Sequence, residues 1–259
     1  MRLAAEQVDF FTLNGYLAVG PLLEPPELEL LRSEYDAEFE RAIEANNCRN
    51  LSSDKAESGG QTAPRQLYQI TQLCERNIHF RRLLYSGKLL DIIESVIGPN
   101  ILLFEDQALW KPALTGGRVF WHQDNAYWRC TPANLVSCWL TLDDVVRENG
   151  AMQVIPGSHL RPLQHSEVDK KGVLLKSLLS AEDDALAVVV ELPAGGCMLH
   201  HCRTLHSTAP NSTERQRRAY AMHFMTPGTG GYDFTEVAEG RSTASFSVSF
   251  HHPALRLRL

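Results

Sequence analysis

From about Asn100 the chain becomes a succession of short apolar runs, and that succession restricts its possible folds more than any other feature. "NILLFEDQALW", "GRVFWHQD", "LVSCWLTLDDV", "AMQVIPGSH", "ALAVVVELPAGGCMLHH" and "RRAYAMHFMTP" are rich in β-branched and aromatic residues, and Gly, Pro, Asn and Asp part them. Residues of the first kind suit a half-buried pleated surface, and those of the second suit turns. Many short strands in a row predict a sandwich or barrel of antiparallel sheets rather than a parallel α/β sheet. Residues 1–99 read as mostly helical. "PPELELLRSEYDAEFERAIEA" opens on prolines and carries Leu28, Leu30, Leu31, Tyr35 and Phe39 near helical spacing, and "SGKLLDIIESVIG" ends on a glycine. The expected architecture is one domain over 1–259, mainly β, with a helical layer (1–99) supporting an all-β core (100–259). "NLSSDKAESGGQTAP" reads as a loop. Leu160 to Asp184 reads as a polar insertion between strands, long enough to be a lid.

Length and charge narrow the function. A chain of 259 residues can bury a substantial core, and 44% apolar with 22% charged residues is ordinary for a globular protein. A formal charge of −6 without a long Lys/Arg tract argues against nucleic acid as a partner. No apolar run approaches a membrane span, and "MRLAAEQVDFFTLNG" has no secretory apolar core, so a cytoplasmic protein is expected. The cysteines (Cys48, Cys74, Cys130, Cys138, Cys197, Cys202) form no CxxC pair and read as reduced thiols, many of them in the core. Oligomeric state is left open.

The chemistry concentrates in "RVFWHQDNAYW". On an extended strand, His122 and Asp124 would share a face, because side chains alternate with period two. An imidazole and a carboxylate so placed could bind one ion, with a third ligand from a distant segment. "HHCRTLHSTAPN" offers His200, His201 and His206. Two histidines and one carboxylate make the facial triad of non-haem Fe(II) oxygenases, which leaves coordination positions open. The following "ERQRRAY" brings arginines suited to pairing with a carboxylate. Iron beside a carboxylate clamp is what a 2-oxoglutarate oxygenase requires.

Four ordered segments carry a resemblance to a known family: "FFTLNGYLAV", "WHQD", "WLTLDDVVRENGAMQVIPGSH" and "RTLHSTAPNSTERQRRAY". Together they cover most of the chain, which resembles the phytanoyl-CoA dioxygenase (PhyH) family of Fe(II)/2-oxoglutarate-dependent oxygenases. The resemblance implies a double-stranded β-helix, a jelly-roll, cupin-like barrel with added helices. It implies Fe(II) held by His122, Asp124 and His206, with 2-oxoglutarate and O2 as co-substrates. The co-substrate arginine would be Arg217, eleven positions after His206, with Arg218 as runner-up on the opposite face of its strand. Trp139, Gln107, Lys111 and Thr208 are further candidate co-substrate contacts. Tyr127, Trp128 and Arg129 fall where family members meet substrate. Halogenating relatives lack the carboxylate ligand, so Asp124 favours hydroxylation of a C–H bond with release of succinate and CO2.

Other readings stand beside these. The same triad could hold a hydrolytic metal, or the fold could be a non-catalytic binder. His159 reads as a turn stabiliser, His223 as packing in the barrel or at the pocket wall, and His251 and His252 as surface or strand-end residues. Asp143 and Asp144 read as a solvated turn. Family members act on acyl-CoA thioesters, compatible solutes and secondary metabolites. Lys170 and Lys171 could meet an anionic group such as a CoA phosphate, although exposed lysines usually face water. A small metabolite or natural-product intermediate is the expected substrate.

Overall fold

The computed structural model describes residues 1–51, 66–161, 163–167, 175–177, 179–231, 246–247 and 254–257. In chain order the elements are α1 (Ala5–Asn14), β1 (Tyr16–Val19), α2 (Pro25–Glu44), β2 (Arg49–Asn50), β3 (Tyr68–Thr71), α3 (Leu73–Arg76), α4 (Ile78–Leu84) and α5 (Gly87–Ile97). There follow β4 (Ile101–Lys111), β5 (Val119–His122), α6 (Asn125–Trp128), β6 (Val136–Thr141), β7 (Met152–Val154), β8 (His165–Glu167) and β9 (Leu175–Ser177). The last are α7 (Ala181–Ala185), β10 (Val188–Val190), β11 (Cys197–His201), β12 (His206–Thr208), β13 (Arg217–Met225), β14 (Gly230–Gly231), β15 (Phe246–Ser247) and β16 (Ala254–Arg256).

Two antiparallel sheets face each other. The larger runs β1-β11-β6-β13-β4-β3-β2, with β16 also on β4, and the smaller runs β10-β7-β12-β5. This is the jelly-roll arrangement of a double-stranded β-helix with helices on one side. It is not a closed barrel: among the described residues no strand ladder joins the two sheets. Residues 1–99 are less uniformly helical than their periodicity predicts, because β1, β2 and β3 are built into the large sheet. β1 covers β11 in register from Tyr16↔His200 to Val19↔Cys197, and β3 pairs with β4. These short strands extend the sheet beyond β11 and β4, whose backbone groups would otherwise lack partners on that side.

Alternation along the large sheet separates two cores. Tyr220, Met222 and Phe224 of β13, Cys138 and Leu140 of β6 and Leu199 of β11 meet the helices. The helices answer with matching stripes: Leu31, Tyr35, Phe39 and Ala42 of α2, and Leu89, Leu90, Ile92 and Ile93 of α5. The stripe of α2 is seated by Tyr35, whose ring lies tilted 6.4 Å from that of Phe80 and whose hydroxyl donates to the Ala219 carbonyl at 3.3 Å. The opposite face of the same strands turns inward. Trp139, Met198, Ala219 and Ala221 pack on Met152, Val154 and Val190 of the small sheet. Small alanines on β13 leave room there for larger polar groups nearby. Between α1 and β1, Gly15 takes φ 77°, and a Cβ at that position would collide with the His159 ring. Among the described residues no helix is long and apolar enough to cross a membrane.

Candidate metal centre

β5 ends at His122 and the chain turns directly into α6, so Asp124 has helical backbone angles (φ −53°, ψ −37°). The shared face of His122 and Asp124 therefore comes from a turn, not from the strand alternation expected of the sequence. The cause is Gln123, whose buried side chain is fully engaged. Its Nε2 donates to the carbonyls of Arg161 (2.9 Å) and Arg203 (2.6 Å), and its Oε1 accepts from the Leu163 N–H (2.9 Å). Its own N–H donates to His165 Nε2 at 2.9 Å. With Asn125 N–H bound to the Cys202 carbonyl at 2.8 Å, the strand ladder cannot continue.

The third residue arrives by cross-strand pairing. β12 lies against β5 with His206 directly opposite His122, and the two rings are 4.2 Å apart between centroids. Each histidine has its Nδ1 beside a backbone carbonyl, Phe120 for His122 (2.7 Å) and Thr204 for His206 (2.9 Å). A carbonyl can only accept, so Nδ1 carries the proton and the Nε2 lone pairs turn inward. Both Nε2 atoms lie 3.5 Å from Asp124 Oδ1. Cis ligand atoms on an octahedral ion with bonds of about 2.1 Å lie about 3 Å apart, so each imidazole nitrogen needs to close only slightly on the carboxylate oxygen to share a metal with it. His122, Asp124 and His206 are the metal-capable cluster among the described residues, and all three are buried.

The electrostatics agree with that use. Burial pushes the His206 imidazole well below its usual pKa, and His122 adds to the effect, so the ring is neutral and able to donate a lone pair. Burial opposes ionisation of Asp124. The neighbouring imidazoles, His206 first and then His122 and His200, outweigh it and hold the carboxyl well below the usual carboxylate range. The outer oxygen of Asp124, Oδ2, accepts from His200 Nε2 and from Ser137 Oγ, both at 3.1 Å. Neither partner was singled out for this role from sequence. The alternation of "CMLHH" carries the signal, since His200 shares the inward face with Met198 while His201 points away toward His159.

A second charged feature lies on β13 and β4. Arg217 is 1% exposed, and its Cζ sits 5.4 Å from the Trp139 ring centroid. One nitrogen donates to the Leu109 carbonyl at 3.2 Å, and its Nε has no hydrogen-bond partner. Burial lowers its pKa to about 10, so it is still a cation at neutral pH. Among the described residues no carboxylate forms an ion pair with it. Directly opposite in register is the buried Lys111, which donates to Thr208 Oγ1 at 2.8 Å and to the Ala209 carbonyl. A buried guanidinium without an ion-pair partner is costly unless an anion joins it.

The other candidates fall in varied places. Gln107 donates to His223 Nε2 at 2.9 Å and accepts from Gln69. Tyr127 sets its ring edge-on to His122 at 5.6 Å, while Trp128 packs in a core cluster with Phe104, Leu135 and Met225. Arg129 is exposed. His159 bonds the Thr12 carbonyl and braces a turn. Asp143 is not a solvated residue: it accepts from Arg218 Nη2 (2.8 Å) and Nε (3.1 Å), and Arg218 Nη1 also reaches Asp36 at 2.8 Å. Arg218→Ala is expected to cost about 1–3 kcal/mol in urea unfolding and to leave co-substrate affinity unchanged, because its partners lie on the helix side of the sheet. Lys170, Lys171, His251 and His252 lie outside the described residues, as does part of the Leu160–Asp184 segment.

The profile of the phytanoyl-CoA dioxygenase (PhyH) family matches residues 11–219. The peroxisomal phytanoyl-CoA dioxygenase of Rattus norvegicus is 23% identical over 230 residues, covering 86% of this chain and 68% of the rat protein. A probable alpha-ketoglutarate-dependent hypophosphite dioxygenase of Stutzerimonas stutzeri is 33% identical over 174 residues, covering 62% of this chain and 60% of that protein. Among solved structures, the non-haem alpha-ketoglutarate-dependent carbocyclase SnoK from nogalamycin biosynthesis superposes with a TM-score of 0.77 at 21% identity, covering 97% of this chain and 96% of SnoK. Match and fold agree, and the chain belongs to the phytanoyl-CoA dioxygenase (PhyH) family of non-haem iron- and 2-oxoglutarate-dependent oxygenases.

Proposed function

We propose that the protein hydroxylates a C–H bond of a small organic molecule, with iron held by His122, Asp124 and His206 and the distal carboxylate of 2-oxoglutarate held by Arg217. A ferrous ion bound there, with 2-oxoglutarate and O2, supplies the oxidising chemistry and releases succinate and CO2. The observation that carries this reading is on β6. Ser137 touches Asp124, and Trp139, two positions along the same face, lies beneath Arg217. Two residues of strand span about 7 Å. That spacing supports a guanidinium, without an ion-pair partner among the described residues, reaching a five-carbon dicarboxylate chelated at the triad.

The residues divide the work among them. His122 and His206 present fixed lone pairs, Asp124 supplies the charge, and Arg217 orients the acid through a bidentate, charge-assisted pair. Lys111 adds positive potential at the same end, with Thr208 holding its ammonium group. Burial of the triad excludes bulk water, which strengthens each of these interactions. Tyr127, edge-on to His122, is the proposed wall of the substrate pocket, with the exposed Arg129 at its rim; Trp128, packed in the core, backs that wall rather than meeting substrate. His165, on the β8 side of the inserted segment, is bound to Gln123, so a lid there would be tied to the metal motif. One domain spanning 1–259 is proposed, with the N-terminal helices as support. Asp124 in the ligand position favours hydroxylation over halogenation. The solved structure SnoK comes from nogalamycin biosynthesis, which supports a small metabolite or natural-product intermediate as the substrate.

Anaerobic addition of Fe(II) and then 2-oxoglutarate to the metal-free protein tests the reading. A visible charge-transfer band is expected in the wild type and is expected to be lost in His206→Ala. Bound metal with no band in the wild type would refute it.

A further inference from the structure

We propose that His200, together with Ser137, is a positioning residue that locks Asp124 with one oxygen toward the metal and the other turned away. The inference rests on the metal reading above and concerns residues outside the triad. Oδ1 of Asp124 faces both ligand histidines, whereas Oδ2 takes two hydrogen bonds of 3.1 Å from the opposite sheet. His200 is 2% exposed, and its ring centroid lies 4.6 Å from that of His206, so it stands inside the site without joining the metal-capable cluster.

The Ser137 bond is the end of a directed series. Gln69 donates to Gln107 Oε1, Gln107 Nε2 donates to His223 Nε2, and His223 Nδ1 lies 2.7 Å from Ser137 Oγ. Because His223 Nε2 accepts, its proton sits on Nδ1 and is donated to Ser137, whose own proton is then free for Asp124. Burial lowers the His223 pKa to about 4, so a single-proton tautomer is maintained at neutral pH. Donors aligned head to tail reinforce one another in a low-dielectric interior. β3, β4, β13 and β6 thus contribute one chain of donors aimed at a single carboxylate oxygen, and β11 contributes the second donor.

The consequence concerns coordination. A chelating keto acid and a third small ligand need three open positions on the metal. An Asp124 free to swing could bind through both oxygens and take one of those positions. His200 and Ser137 engage the second oxygen and keep it off the metal.

The test measures Fe(II) affinity of the metal-free protein by anaerobic chelator competition, without co-substrate, followed by 2-oxoglutarate affinity of the loaded protein. His200→Phe and Ser137→Ala are each expected to weaken metal binding about 10-fold or more, and to weaken 2-oxoglutarate binding further. His200→Gln, which places an N–H donor near the position of Nε2, is expected to recover most of the loss. Thermal unfolding of the metal-free variants checks that they fold. Ser137→Ala carries the test alone if His200→Phe does not. Wild-type affinities in both variants would overturn the proposal. So would a loss in His200→Phe that His200→Gln leaves unrepaired, which would make His200 a ligand. His122→Ala serves as the control: metal affinity unchanged in that variant would overturn the triad itself, and the positioning role with it.

Discussion

Asp124→Asn is expected to bind Fe(II) more than about 100-fold more weakly than the wild type while keeping most of the stability of the metal-free protein. Losing a partner of a ligand typically costs about 10–100-fold in metal affinity, and losing the ligand itself should exceed that. The asparagine has one acceptor where aspartate has two. The environment asks for an acceptor on both sides, with His200 and Ser137 donating to one oxygen and the metal demanding the other. In the metal-free protein the amide turns its oxygen toward the two donors and satisfies them. That leaves an NH2 group facing the Nε2 atoms of His122 and His206, where it can donate to a lone pair but cannot ligate. Asp124→Ala lacks both oxygens and strands two buried donors at about 1–3 kcal/mol each, so it should lose metal binding and stability together. Metal content after equilibrium dialysis, read beside thermal unfolding, separates the two variants. An asparagine variant that bound iron within tenfold of the wild type would show that Asp124 is not a ligand.

The same residue marks how far the sequence could be read. His122 and Asp124 stand out in the sequence as a pair, and the arginine-bearing strand after His206 suggests a carboxylate clamp. Strand alternation predicts their shared face, whereas the chain leaves the strand at His122 and Gln123 makes the turn. Long-range bonds from one buried glutamine to Arg161, Leu163, Arg203 and His165 leave no periodic trace in "WHQDN". The helical periodicity of α2 and α5 was legible because burial follows a single stripe. β1 and β3 were harder to read, because four-residue strands carry too few alternations to stand out beside long helices. His200 is instructive in another way. The sequence offers it only as a rival ligand, whereas its position on the inward face of β11 gives it a partner, Asp124, whose spare oxygen no local pattern could locate. The separation of Arg217 from Arg218, by contrast, needed only the period of two: one faces Trp139 in the interior and the other faces Asp143 and Asp36 on the helix side.

Arg217→Met is expected to move stability and co-substrate binding in opposite directions. In the metal-free protein the guanidinium is fully buried, its charge has no ion-pair partner among the described residues, and its Nε has no hydrogen bond. Burial already lowers its pKa to about 10, the mark of a charge held where solvation is poor. Replacing such a cation by an apolar chain of similar length removes that penalty, and comparable replacements of buried charged groups have stabilised proteins by about 1–4 kcal/mol. Loss of the bond to the Leu109 carbonyl and of the Trp139 face subtracts from the gain, so a rise in stability of about 1–2 kcal/mol, a few degrees in Tm, is the expected result. Binding should respond the other way. Truncating one partner of a buried charge pair costs about 2–5 kcal/mol, so the affinity of the iron-loaded protein for 2-oxoglutarate should fall by roughly 30-fold to several thousand-fold. Arg217→Lys should recover only part of this, because an ammonium cannot reproduce the two parallel bonds of a guanidinium. Two titrations decide the matter, thermal unfolding without ligands and 2-oxoglutarate binding with iron. If the methionine variant were less stable and bound 2-oxoglutarate normally, Arg217 would be a structural residue and the clamp would have to be sought at Lys111. If stability rises as affinity falls, the buried cation is kept at a cost to the fold for the sake of an anion that arrives later.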